Sequence, residues 1–191
     1  MKKIFLSLLV FSLLFISCND CSESVSKEDQ NKNIGLANLA ALDMNEFSLV
    51  PYGLNLTILL PEVESSAGTS ILPEVIHEDG HYLWQLNIGK QFNLVIEDFG
   101  KEKNKVTKEK EYLIGKSDIF KYEYIIDEPE IIMYKRELHK DQGGEKSYHC
   151  YGEMEVEGYT IILRTTESGG FRAVVLDMIS SIKSAKAIVT P

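Results

Sequence analysis

Apolar residues follow three different patterns along the 191-residue chain. From Ile4 to Ile16 they are nearly continuous, interrupted only by Ser7 and Ser12. From Phe47 to Thr166 they come in short, often alternating runs bounded by Gly, Pro and Asp, the signature of strands. From Phe171 to Ile182 they recur at helical spacing. Within the middle region, FSLV and LNLTILL flank a Pro51-Tyr52-Gly53 turn, and a loop rich in Ser, Gly and Glu follows over 61–70. ILPEVIHE and HYLWQLNI flank Asp79-Gly80, a two-residue hairpin signal that would pair His77 with Tyr82 and set Trp84 opposite Val75. QFNLVIEDF, KYEYIID and EIIMYKREL read as three further strands, and SYHCYGEMEV and YTIILRTT as a hairpin closed by Glu157-Gly158.

Two segments predict helices. Residues 101–116 are predominantly charged, which favours a solvated helix with Val106, Leu113 and Tyr112 as its core contacts. At the end of the chain Phe171, Val174, Val175, Met178, Ile179 and Ile182 form one apolar stripe. Ser168 or Gly169-Gly170 would cap that helix, and Lys183 and Lys186 would suit its last turn. Together these elements predict a single α+β domain over residues 34–191. It is an antiparallel β-sheet packed by a C-terminal amphipathic helix, with a second, charged helix mid-chain.

The first pattern changes the picture of where the chain resides. Lys2 and Lys3 followed by 13 mostly apolar residues make a signal peptide over 1–17, too short to span a bilayer. Its end, Leu14-Phe15-Ile16-Ser17-Cys18, resembles the lipobox of bacterial lipoproteins. That resemblance implies cleavage after Ser17 and acylation of Cys18, hence a partner in the membrane itself, held by two or three acyl chains. Asn19, where Asp favours inner-membrane retention in enteric bacteria, implies the outer membrane of a bacterial cell envelope. Residues 18–33 hold almost no apolar side chains and read as a lipidated cysteine followed by a flexible tether. Cleavage removes Lys2 and Lys3 from the 20 basic side chains and none of the 29 acidic ones, which takes the formal charge from −9 to about −11. Such a balance argues against nucleic acid as a partner. With Cys18 acylated, Cys21 and Cys150 remain as the pair available for a disulfide in an oxidising compartment.

The mature domain also resembles a family. Tyr52-Gly53-Leu54 leading through a strand to Pro61, the run of antiparallel strands, the charged mid-chain helix and Ile179-Ser180-Ser181-Ile182-Lys183 in the closing helix are similar to the PsbP-like superfamily. That superfamily includes extrinsic photosystem proteins, Mog-type Ran-binding proteins and lipoproteins of the DcrB–LpqN kind. The resemblance implies a binding or assembly role and carries no catalytic motif with it.

Candidate chemistry is sparse. His77 and His81 would point to opposite faces of their hairpin, so they make no shared metal site, and no metal or cofactor is expected. His149 and Cys150 are strand neighbours and also face opposite ways. Cys150 joins Tyr148, Met154, Val156, Ile161 and Leu163 on an apolar face, where a thiol is inert. The other face would carry His149, Tyr151, Glu153 and Glu155, with Arg164 opposite Tyr151 and Thr166 opposite His149. His149, Tyr151, Glu153, Arg164 and Thr166 therefore form a candidate face for a polar ligand or partner. Lys101–Lys116 is a locally basic stretch suited to an acidic partner or lipid headgroups, and Gly169-Gly170 could cradle an anion. There is no GxSxG elbow, HExxH, Walker loop or dinucleotide fingerprint, and no residue is assigned as catalytic. The expected function is a membrane-anchored binding or assembly module for an envelope protein or ligand. The alternatives are a small hydrolase-like enzyme or small-ligand binder using the face around His149, and an inhibitor or immunity-type protein.

Overall fold

The computed structural model describes residues 43–139 and 144–188. The signal peptide, Cys18, Cys21 and the tether lie outside the described residues, as does the start of the predicted domain at 34–42. The fold is a sheet-dominated α+β domain with ten strands and two helices among these residues.

A small sheet is built from β1 (Met44–Ser48), β2 (Leu56–Pro61) and a two-residue β10 (Lys186–Ala187), in the order β1-β2-β10. The turn between β1 and β2 is one 3-10 turn with Pro51 in its first positions, closed by Gly53 at φ 80°. The large sheet holds β3 (Glu74–His77), β4 (Leu83–Ile88), β5 (Phe92–Asp98), β6 (Phe120–Asp127), β7 (Ile131–Leu138), β8 (Ser147–Val156) and β9 (Tyr159–Thr165). Its order is β3-β4-β5-β9-β8-β7-β6, antiparallel throughout. Helix α1 (Lys105–Ile114) carries the chain from β5, near the middle of that sheet, towards β6 at its edge. Helix α2 (Arg172–Ser184) closes the fold. Among the described residues no helix is long and apolar enough to cross a membrane.

The main core lies where α2 packs between the two sheets. Val175, Met178, Ile179 and Ile182 meet Leu56, Ile58 and Leu60 of β2 and the inner face of the large sheet, including Leu94, Leu163 and Trp84. Gly152 sits under α2 because a Cβ there would stand 2.5 Å from the Ile182 side chain. A second, smaller core lies on the opposite face, where Val106 and Leu113 of α1 pack on Ile132, Tyr134, Tyr151 and Ile162. Central strands are thus covered on both faces, which is why Ile131, Ile132, Met133 and Tyr134 are buried in succession.

Several expectations are corrected. The Asp79-Gly80 turn forms, with the His81 amide on the Glu78 carbonyl at 3.0 Å, but the ladder resumes two residues later and pairs His77 with Trp84. The His77 ring explains the slip: Nδ1 lies 2.9 Å from the Leu83 carbonyl oxygen, and the imidazole stacks on the Trp84 indole at 4.6 Å. Because the slip is even, each side chain keeps its face. Phe171 is 70% exposed and stands at the N-cap of α2 with no side-chain bond, so neither Ser168 nor the glycine pair caps that helix. Lys186 is in β10, opposite Thr57, rather than in the last helical turn. The chain leaves the helix at Ser184, whose hydroxyl donates to the Ser181 carbonyl and accepts the Leu59 amide, locking the helix end to β2. Tyr112 is exposed rather than a core residue.

Candidate functional site

The face read as polar on β8 and β9 is only partly open to solvent: His149 and Tyr151 are buried, Glu153, Arg164 and Thr166 half-buried and Glu155 exposed. Helix α1 lies over it, and between helix and sheet runs a groove of about 760 Å³. A type I′-compatible turn, Glu157 at φ 51° and Gly158 at φ 83°, fixes the β8–β9 register as expected, with Tyr151 opposite Arg164. From β7, Tyr134 pairs with His149 and Arg136 with Ser147. From α1, the i, i+3, i+4 relation that buries Val106 and Leu113 turns Glu109 towards the same groove.

His149 is 3% exposed. Its ring stacks on Tyr134 at 5.1 Å with 10° between planes. Nε2 lies 2.9 Å from the Ser147 hydroxyl and Nδ1 3.5 Å from the Thr165 hydroxyl. Burial, helped by the Arg136 charge, pushes its pKa down to about 4, so at neutral pH the imidazole is uncharged. The Tyr134 hydroxyl donates to Glu109 Oε1 at 3.4 Å, and burial raises the Glu109 carboxyl above its ordinary range. Burial also raises the phenols of Tyr134 and Tyr151, which stay protonated. Arg164 Nε donates to Glu97 Oε2 at 2.7 Å and Nη1 to the Thr165 carbonyl at 3.2 Å.

Of the five face residues named from the sequence, the structure brings His149, Tyr151, Arg164 and Thr166 together as groove wall. Glu153 is used otherwise: its Oε2 accepts the Val106 amide at 3.1 Å, capping the first turn of α1. That turn needs it, because Asn104 at the N-cap is left-handed and makes no side-chain bond. Glu155 beside it pairs with Lys103. Thr166 does not sit opposite His149. The β8–β9 ladder ends at Tyr151, and the next pairing is a bridge from Tyr148 to Gly170, so residues 166–169 form a bulge and Thr165 is the threonine that hydrogen-bonds His149. Arg136 Nη2 holds this bulge by donating to the Glu167 carbonyl at 2.9 Å.

The glycine pair serves close approach rather than anion binding. Gly169 has φ 70°, and a Cβ there would stand 2.6 Å from the Tyr148 carbonyl oxygen and 2.7 Å from the His149 ring. The basic stretch is largely neutralised, with Lys105 and Lys108 on Glu102 and Lys110 on Asp127. Cys150 has no disulfide partner among the described residues, is 1% exposed in the main core, and burial pushes its pKa up to about 12. Its conceivable disulfide partner, Cys21, lies outside the described residues. Among the described residues no group of three or more His, Cys, Asp or Glu side chains is placed to hold a metal ion.

Sequence reasoning missed Glu97, Glu109, Tyr122, Tyr134 and Arg136 as groove residues. The helical stripe through Val106 and Leu113 could have found Glu109. Nothing local signals Glu97, because β5 meets β9 across some sixty residues of chain. No protein-family model matches this sequence, and no curated protein matches it.

Proposed function

We propose that this chain is a lipid-anchored protein of the bacterial envelope whose domain is a binding module, taking a small ligand in the groove beneath α1. The groove is the observation that carries the reading: a cavity of about 760 Å³, within the range of small-molecule sites, walled by aromatic rings and by seven charged side chains. Ser17-Cys18 after the apolar run supports the anchor.

Binding fits the groove's groups better than catalysis does. Both nitrogens of His149 are engaged and its pKa lies far below neutrality, so it is a poor proton acceptor there. The Cys150 thiol faces the other core and is not ionised. Glu97 is committed to Arg164.

The test is titration of the mature chain with N-phenyl-1-naphthylamine, a neutral fluorescent probe. Carrying Cys18→Ser, the chain has no acyl groups or detergent to compete. Saturable binding near one probe per chain is expected, weakened about tenfold by Tyr122→Ala in the groove, roughly 1.4 kcal/mol. Tyr159→Ala, at an exposed turn away from the groove, should leave it unchanged. Absence of saturable binding, or equal effects of the two substitutions, contradicts the reading and favours a protein partner instead.

A further inference from the structure

We infer that the ligand of this groove is an organic anion, its charged group facing Arg136 and Lys116 and its apolar body lying against Phe120, Tyr122 and Leu113. The inference rests on the groove being a ligand site and adds the class of ligand.

Charge accounting points there. Four cations line the groove: Lys105, Lys116, Arg136 and Arg164. Arg164 is neutralised by Glu97 at 2.7 Å. Lys105 lies 3.6 Å over the Phe99 ring and 3.3 Å from Glu102. Among the described residues, Arg136 and Lys116 have no carboxylate within ion-pair distance. The chain holds 29 acidic side chains against 20 basic ones, so carboxylates are in ample supply for pairing. Lys90, Lys101, Lys146, Arg172 and Lys186 are outside these ion pairs too, but among the described residues Arg136 and Lys116 are the unpaired cations that line the groove. Three carboxylates share the groove: Glu97 is paired with Arg164, Glu109 accepts the Tyr134 hydroxyl and is raised by burial, and Glu167 lies in the bulge whose carbonyl holds Arg136.

Arg136 is also held ready. Its Nη2 is fixed by the Glu167 carbonyl, and the guanidinium sits 5.1 Å from the Phe120 ring centroid. A planar fork locked on one side presents its remaining N–H donors in a defined direction, so less ordering is lost when an oxyanion docks. Lys116, just beyond the end of α1, adds a mobile point charge, its Nζ 5.6 Å from the Tyr112 ring. Neighbouring His149 is uncharged at neutral pH, which leaves these two side chains as the cationic end.

The experiment compares 8-anilinonaphthalene-1-sulfonate, an aromatic organic anion, with neutral N-phenyl-1-naphthylamine on the mature Cys18→Ser chain. Arg136→Gln with Lys116→Gln should weaken the anionic probe at least tenfold and leave the neutral probe within about twofold. Lys116→Gln alone, which leaves the Arg136–Glu167 bond untouched, should weaken the anion severalfold, and Arg136→Lys, which keeps the charge but loses the locked fork, should weaken it less than Arg136→Gln. Melting temperatures confirm that each variant is folded. Neutral-probe binding with no change in the anion's affinity in the double variant overturns the anion inference and leaves the groove reading standing. Equal loss of both probes in folded protein also overturns it, since the side chains would then act only as wall. Failure of both probes to bind the wild-type chain removes the groove reading and this inference with it.

Discussion

At the scale of the residue, His149 shows how a polar side chain changes meaning with its surroundings. In the sequence it sits beside a cysteine and invites a catalytic reading; in the fold it is a buried neutral ring between Tyr134 and Gly169. The consequence is a pH dependence of stability. The unfolded imidazole titrates near 6.5 and the folded one at about 4, so between those values the unfolded chain binds the extra proton. Stability from neutral His149 is complete above about pH 6.5 and is lost as the pH falls towards 4, on the order of 3 kcal/mol over the interval. Glu109 acts in the opposite sense: its raised carboxyl disfavours the fold at neutral pH, and that penalty is relieved on acidification. Urea titrations of wild type and His149→Gln separate the two. The stability gap between them should narrow by about 2–3 kcal/mol from pH 7 to pH 4.5. A gap that stays constant would mean that the ring is not held neutral. None of this was legible from residue type, because the ring is packed by Tyr134 of β7 and by the bulge at residues 166–169.

At the scale of the element, legibility followed turn chemistry. Glu157-Gly158 fixes the β8–β9 register, so the facing of His149, Cys150, Tyr151 and Arg164 was readable residue by residue. Between β7 and β8 the sequence HKDQGGEK reads as a turn but, unlike a two-residue Glu-Gly hairpin, its eight residues do not dictate a register, so the meeting of Tyr134 with His149 was not readable. Helix α1 was readable as a helix with Val106 and Leu113 inward, but its landing place depends on the non-local β5–β9 pairing. What seats it is Glu153, a residue whose position on the face suggested ligand binding. Glu153→Ala should cost about 1 kcal/mol and speed hydrogen exchange selectively at the first-turn amides of α1, Val106 above all. Glu153→Gln keeps the acceptor and should lose less. Unchanged exchange at Val106 in the alanine variant would show that α1 is seated by its apolar contacts alone.

At the scale of the whole molecule, an acidic domain presents a groove with a cationic end. The net charge of −9 repels anions at a distance, so selection of an anion has to be made locally, inside a site where water and counterions screen less. The two-sided cover of the large sheet also divides the labour. Helix α2 and the small sheet build the main core, and α1 builds a smaller core with a cavity at its side. The most direct measurement is the native mass of the full chain extracted from its own envelope. The account predicts a chain beginning at Cys18 with acyl chains attached, part of it heavier by one discrete small molecule that is missing from Tyr122→Ala. An acylated wild-type chain with no such increment, or an increment that survives Tyr122→Ala, would contradict it.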